Sequence, residues 1–193
     1  MSPSQIFLLS PAHAGGKRAK TLLKSDSGSA VGKRLQGGEA VTLGEVFSFV
    51  SGLYFRGKLT YASRFAALDD VLVITPHRGL LPVSTPLFLA DLAEYAETNI
   101  DAGNEEYRRP LEIDLAGLAM RRQTDPFIFL GSLASGKYVD VLKGPLAGKL
   151  FFPTSFVGLG DMGRGALLLR QAKAGIALDY APIERLPRFC SLL

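Results

Sequence analysis

Tryptophan is missing from this 193-residue chain, cysteine occurs once, at Cys190, and histidine twice, at His13 and His77. A single cysteine excludes an intramolecular disulfide framework and any zinc site built on several thiolates. It suits a reducing compartment. With so few histidines, and the cysteine in the tail, neither a metal triad nor a Cys–His catalytic pair has support. No apolar run approaches the ~18 residues of a membrane span, so no membrane partner is expected. The opening MSPSQIFLLSPAHAGGKR has no basic n-region and only a short apolar core, Ile6 to Leu9. No signal peptide is expected, and the expected location is the cytoplasm.

What remains is the composition of an ordinary folded domain: 47% hydrophobic residues and 21% charged ones. That excludes a disordered chain. A domain of this size buries roughly 70% of its unfolded surface, so residues 1–193 are expected to form one domain with a real core. Lys and Arg number 22 against 18 Asp and Glu, a net charge of +4. This charge favours weak attraction to nucleic acid without requiring it. Glycine is the excess: 21 residues, where a usual ~7% would give about 14. Nine cations stand directly beside a glycine: Lys17, Lys33, Arg56, Lys58, Arg78, Lys137, Lys143, Lys149 and Arg164. Glycine lets backbone approach a ligand closely, and exposed N–H groups beside a cation make an anion nest. The alternative is that glycine and lysine both favour surface turns.

Three short apolar runs read as buried strands of a parallel sheet: Ile6 to Leu9, Val71 to Ile74 and Phe127 to Leu130. A fourth run, Leu150 to Phe152 with Phe156 and Val157, is broken by Pro153. Helical spacing is read over 17–24, 43–49, 58–68, 86–96, 111–122, 137–142 and 165–174. Residues 25–38, rich in Ser and Gly, are expected to form a mobile loop, 99–109 a solvated connection, and 180–193 an irregular tail. Strands alternating with helices predict an α/β fold, a Rossmann-like three-layer sandwich with a mainly parallel sheet. Such sheets bind ligands beyond the carboxyl ends of their strands, near a topological switch point. Here those exits are Ser10 to Arg18, Thr75 to Gly79 and Gly131 to Lys137.

Several motifs bear on those exits. A phosphate loop of the Walker type needs Gly, four residues, Gly-Lys and then Ser or Thr. Gly16-Lys17 is present, but Pro11 takes the place of the first glycine and Arg18 that of the hydroxyl, so an NTPase is disfavoured. Gly15, Gly16, Lys17 and Arg18 remain a candidate phosphate cradle. Gly158-Leu159-Gly160-Asp161-Met162-Gly163 matches G-x-G-x-x-G, with Asp179 near the place of a ribose-binding acid. Pro153 spoils the strand that should precede it, which favours a glycine turn holding helix against sheet. No cofactor and no metal are expected. His13 and His77 sit on strand-exit loops and, with Ser10, are the candidate catalytic residues for acid–base work. Ser10 lacks the G-x-S-x-G elbow of hydrolases. In Gly52 to Tyr61, Tyr54 and Tyr61 alternate with Arg56 and Lys58; exposed, they would stack on bases while the cations met phosphates. Buried, the same aromatics are core and the cations snorkel outward.

The strand followed by Ser10-Pro11-Ala12 resembles the opening of the YaaA-type peroxide-stress family. Val71 to Pro82 resembles that family's later strand and Gly-Leu turn. Closer still is the likeness to bacterial domains related to the uracil-DNA-glycosylase-like domain of archaeosine synthase. The likeness rests on Tyr54, Arg56, Lys58 and Tyr61, on Gly136-Lys137-Tyr138, and on Gly158 to Gly160, and it spans roughly Ile6 to Arg170. His13 stands where the family has Lys, and of its Pro-Tyr-Arg sequence only Pro86-Leu87-Phe88 remains. The resemblance implies a Rossmann-like α/β/α sandwich and a link to nucleic-acid damage or modification; it supplies no catalytic residue.

Three functions are therefore weighed. The first is a nucleic-acid-associated protein holding DNA or RNA phosphates through Lys17, Arg18, Arg56, Lys58, Arg78, Lys137 and Arg164, with Tyr54 or Tyr61 stacking, in damage, modification or defence. The second is an enzyme acting on a nucleoside or nucleobase, a glycosidase or base transferase using His13, His77 or Ser10. The third is a non-catalytic subunit whose partner is another protein of a larger complex.

Overall fold

The computed structural model describes residues 4–134 and 136–186. In chain order the elements are β1 (Ile6–Leu9), α1 (Lys17–Leu23), α2 (Ala30–Gln36), β2 (Val41–Thr42), α3 (Leu43–Ser51), α4 (Leu53–Phe65), β3 (Val71–Ile74), β4 (Leu80–Pro82), β5 (Pro86–Leu87), α5 (Leu89–Glu97), α6 (Glu105–Arg121), β6 (Phe127–Leu130), α7 (Gly136–Lys143), β7 (Leu150–Pro153), α8 (Asp161–Ala174) and β8 (Tyr180–Pro182). The main sheet has the order β4-β3-β1-β6-β7-β8. Its four central strands run parallel, and both edge strands are antiparallel. β2 and β5 form a separate antiparallel ribbon.

The apolar runs form the centre because every side chain in them has a face to bury. Phe7, Leu9, Val71, Val73, Ile128 and Leu130 point into a core shared with α1, α3, α4, α5 and α8. Their neighbours Ile6, Leu8, Leu72, Ile74, Phe127 and Phe129 enter a second core with α6 and α7. The period of two along each strand thus divides one hydrophobic run between two helical layers. The result is a three-layer α/β sandwich. No helix among the described residues is long and apolar enough to cross a membrane.

Chain order reverses at β1, which pairs with β3 on one side and β6 on the other. The Ser10 N–H donates to the Leu130 carbonyl at 3.1 Å, joining the carboxyl ends of β1 and β6. Ligand sites of open α/β sheets form where strand order reverses.

Several boundaries differ from those expected. Within 25–38 the chain forms α2, because Ser29 Oγ accepts the Gly32 N–H at 3.0 Å and caps it. α4 begins at Leu53, just after Gly52, whose φ of +65° separates it from α3. Pro86 and Leu87 pair with Thr42 and Val41 before α5 starts. α6 reaches back into 99–109, capped by the Asn104 side chain on the Glu106 N–H at 3.1 Å. α8 starts at Asp161 rather than Gly165. Tyr180–Pro182 pairs with β7 in what was expected to be irregular tail; Cys190 and the rest of 187–193 lie outside the described residues.

Candidate functional site

Three strand exits close on one cleft of about 750 Å³. From β1 come Ser10 and the loop through Gly15 and Gly16 to Lys17 and Arg18; from β3 comes Pro76; from β6 come Ser132, Lys137 and Tyr138. Tyr54 of α4, Tyr95 of α5 and Asp161 of α8 complete its wall, with Thr98, Asn99 and Ile100 of the following connection. The volume lies within the ~300–1,000 Å³ usual for small-ligand sites.

The cations are held by packing. Arg18 lies over the Phe49 ring, 5.8 Å from its centroid, and its guanidinium rests against Gly52, where any Cβ would strike it. Lys137 Nζ lies 5.1 Å from the Tyr138 centroid. The Tyr107 hydroxyl donates to the Lys137 carbonyl at 3.0 Å and pins the start of α7. Lys17, Arg18 and Lys137 therefore bring positive charge to the cleft from segments more than a hundred residues apart in sequence, opposed there by Asp161.

Two phenols line the cleft with their hydroxyl oxygens sealed from solvent. Tyr54 and Tyr95 are buried, and neither hydroxyl has a hydrogen-bond partner among the described residues. Burial pushes the Tyr54 hydroxyl up to about 12, with Arg164 pulling the other way. Both groups are neutral donors at physiological pH. An unpartnered buried hydroxyl costs about 1–3 kcal/mol.

Beneath Ser10 lies a buried amine. Ser10 is only 5% exposed and Lys58 1%. Lys58 Nζ sits 2.6 Å from the Ser10 carbonyl and 2.8 Å from Ser10 Oγ. The Tyr54 and Phe55 rings flank the amine, with centroids at 4.5 and 4.9 Å. Desolvation lowers the Lys58 pKa to about 7; Asp161 opposes that shift and Arg164 adds to it.

No family model, curated protein or solved structure matches this chain. The site is therefore read from its own geometry. Of the residues singled out in the sequence, the cleft gathers Ser10, His13, Gly15, Gly16, Lys17, Arg18, Tyr54 and Lys137. The others lie elsewhere. Lys58 is behind Ser10 rather than on the cleft wall, so it has no surface to offer a phosphate. Arg56 is exposed on α4, outside the lining. Arg78 pairs with Asp91 at 2.9 Å. Arg164 is buried and donates through Nε and a terminal nitrogen to the Phe156 carbonyl at 3.3 and 3.2 Å, which ties down the glycine turn before α8. Tyr61 is core: its hydroxyl shares a 2.5 Å hydrogen bond with that of Tyr180 and accepts the Leu178 N–H at 2.7 Å. The two histidines do not meet in one cleft. His77 faces a separate hollow with Glu94, Glu97, Thr98 and Glu106, its Nε2 3.6 Å from Glu94.

Sequence reasoning passed over Tyr95, Ser132 and Asp161. Tyr95 follows Leu92 at helical spacing, the pattern of an ordinary core position. Asp161 was visible inside the glycine motif but carried no signal of its own.

Proposed function

We propose that this protein binds single-stranded nucleic acid, seating one or two nucleotide units in the strand-exit cleft. The observation that carries this reading is the convergence of Lys17, Arg18 and Lys137 on a cleft whose wall also includes Tyr54 and Tyr95. Cations attract the phosphates and fix the strand's position. A concave site of this volume takes a strand end or an extruded nucleotide; duplex is far too wide for it. The resemblance noted in the sequence points to damage or modification chemistry, and a cleft that isolates one nucleotide suits either.

Fluorescence anisotropy of a labelled twelve-nucleotide strand tests it. Single strands lose affinity with a log–log salt slope of about −0.7 per neutralised phosphate, so these cations give a slope near −2 and about a 20-fold loss from 50 to 200 mM salt. Lys17→Glu with Lys137→Glu should remove most of the binding. A salt-independent affinity, or one unchanged in that double variant, would overturn the proposal.

A further inference from the structure

Ser10 and Lys58 are arranged for more than binding. Ser10 lines the cleft where β1 ends, and Lys58, which is outside that lining, approaches its Oγ from within the protein. The second contact, from Nζ to the Ser10 carbonyl at 2.6 Å, fixes the amine in position. Lys58 forms no ion pair among the described residues. Burial favours the neutral amine over the ammonium, against the support the two aromatic faces and Asp161 give the charge. Hydroxyl and amine within hydrogen-bond reach, the first on a residue at the cleft floor and the second sealed off behind it, is the relation that activates a serine nucleophile.

We propose that Ser10 and Lys58 form a nucleophile–base pair that cleaves an acyl ester bound in the strand-exit cleft. In the reactive form the Lys58 lone pair accepts the Ser10 hydroxyl proton, and one amine N–H still donates to the Ser10 carbonyl. Oγ adds to the ester carbonyl carbon as its proton passes to Nζ, and the carbonyl π pair moves onto oxygen. The tetrahedral adduct collapses with loss of the C–O bond to the alcohol, which leaves with the proton carried by Lys58. Acyl-Ser10 and neutral amine remain. Water repeats the sequence: Lys58 takes its proton, the acyl–Oγ bond breaks, and Ser10 regains a proton as the carboxylic acid departs. The net reaction is ester plus water to acid plus alcohol, with no other reactant.

Only the nature of the ester rests on the nucleic-acid reading: Lys17, Arg18 and Lys137 favour an acyl group carried on a phosphate-bearing alcohol. The groups facing Lys58 are Tyr54 on its own helix, Ser10 from β1, and Asp161 and Arg164 from α8. Asp161 favours the ammonium, and Arg164 together with burial favours the amine, which places the change of state near pH 7.

An uncharged alkyl fluorophosphonate is the probe, with adduct position read by peptide mass spectrometry. Ser10 should be labelled, at a rate that rises about tenfold per pH unit below pH 7 and levels above it. Ser10→Ala should abolish labelling, and Lys58→Met should slow it by roughly 10²-fold or more while circular dichroism remains native. Absence of a Ser10 adduct between pH 6 and 9 would overturn the proposal, as would undiminished labelling of a folded Lys58→Met variant. Should that variant fail to fold, the wild-type profile decides: a flat rate from pH 6 to 9 refutes the base. Because the probe carries no phosphate-like charge, labelling and oligonucleotide binding succeed or fail separately.

Discussion

Lys58 shows how far one residue's behaviour departs from its type. On a surface its ammonium would titrate near pH 10.4; in the fold, burial brings that to about 7. Between those values the unfolded chain binds a proton that the native protein does not, so stability rises with pH across this window. Above about pH 10 the buried tyrosines act oppositely, since their raised pKa values leave the native state holding protons that the unfolded chain releases. Urea denaturation should therefore show stability climbing from pH 7 to 9.5, and a folded Lys58→Met variant should lose that climb. Tyr54 offers a second test at the same scale. Its hydroxyl has no partner, so Tyr54→Phe should leave stability equal or slightly higher. Tyr54 and Tyr61 stand alike in the sequence as stacking candidates; in the fold Tyr54 is buried with Lys58 against its ring, and Tyr61 is locked in the core by Tyr180 and Leu178.

Among the elements, α4 and α8 cross where two glycines meet. A Cβ on Gly57 would lie 2.7 Å from the Gly165 carbonyl oxygen, and one on Gly165 would lie 3.0 Å from the backbone of Leu53 and Tyr54. The G-x-G-x-x-G run thus leads into a helix that must approach its neighbour closely, and Arg164 clamps the turn. Close approach also brings Asp161 to the cleft and Arg164 near Tyr54 and Lys58. Gly57→Ala should cost about 1–3 kcal/mol in chemical denaturation, because backbone rather than a flexible side chain has to move. Gly79 is constrained differently: its φ is +62°, and a Cβ there would meet the Asp114 carboxylate and, at 3.0 Å, the Pro110 carbonyl. The Asp114 carboxylate accepts the Leu80 N–H at 2.9 Å, so this contact joins α6 to the edge strand β4. β1, β3 and β6 were legible because each run is apolar at every residue, whereas β2, β4, β5 and β8, two or three residues long, carried no such run. Helix starts were less so: α4 begins five residues before the pattern suggested, since Gly52's turn, rather than hydrophobicity, sets its start.

Across the whole molecule, charge matters through its direction. Arg56 and Lys58 are neighbours in sequence, but two helical residues are ~200° apart, so α4 sends one to solvent and the other under Ser10. Arg78 is held by Asp91 outside the cleft. Charge reversal at Arg56 and Arg78 should accordingly leave oligonucleotide affinity within about twofold after allowing for net charge, in contrast to reversal at Lys17 and Lys137; anisotropy at fixed salt compares the two pairs. Sequence alone determined three of the four central strands, the α/β class and the loops that leave those strands' carboxyl ends, because short runs apolar on both faces are stable only between helical layers. Tertiary structure alone decided which glycine-flanked cations reach the cleft, which tyrosines stay without partners, and that Lys58 stands behind Ser10. These outcomes depend on helix rotation and on contacts between residues 48 to 119 positions apart, and local sequence carries no record of either.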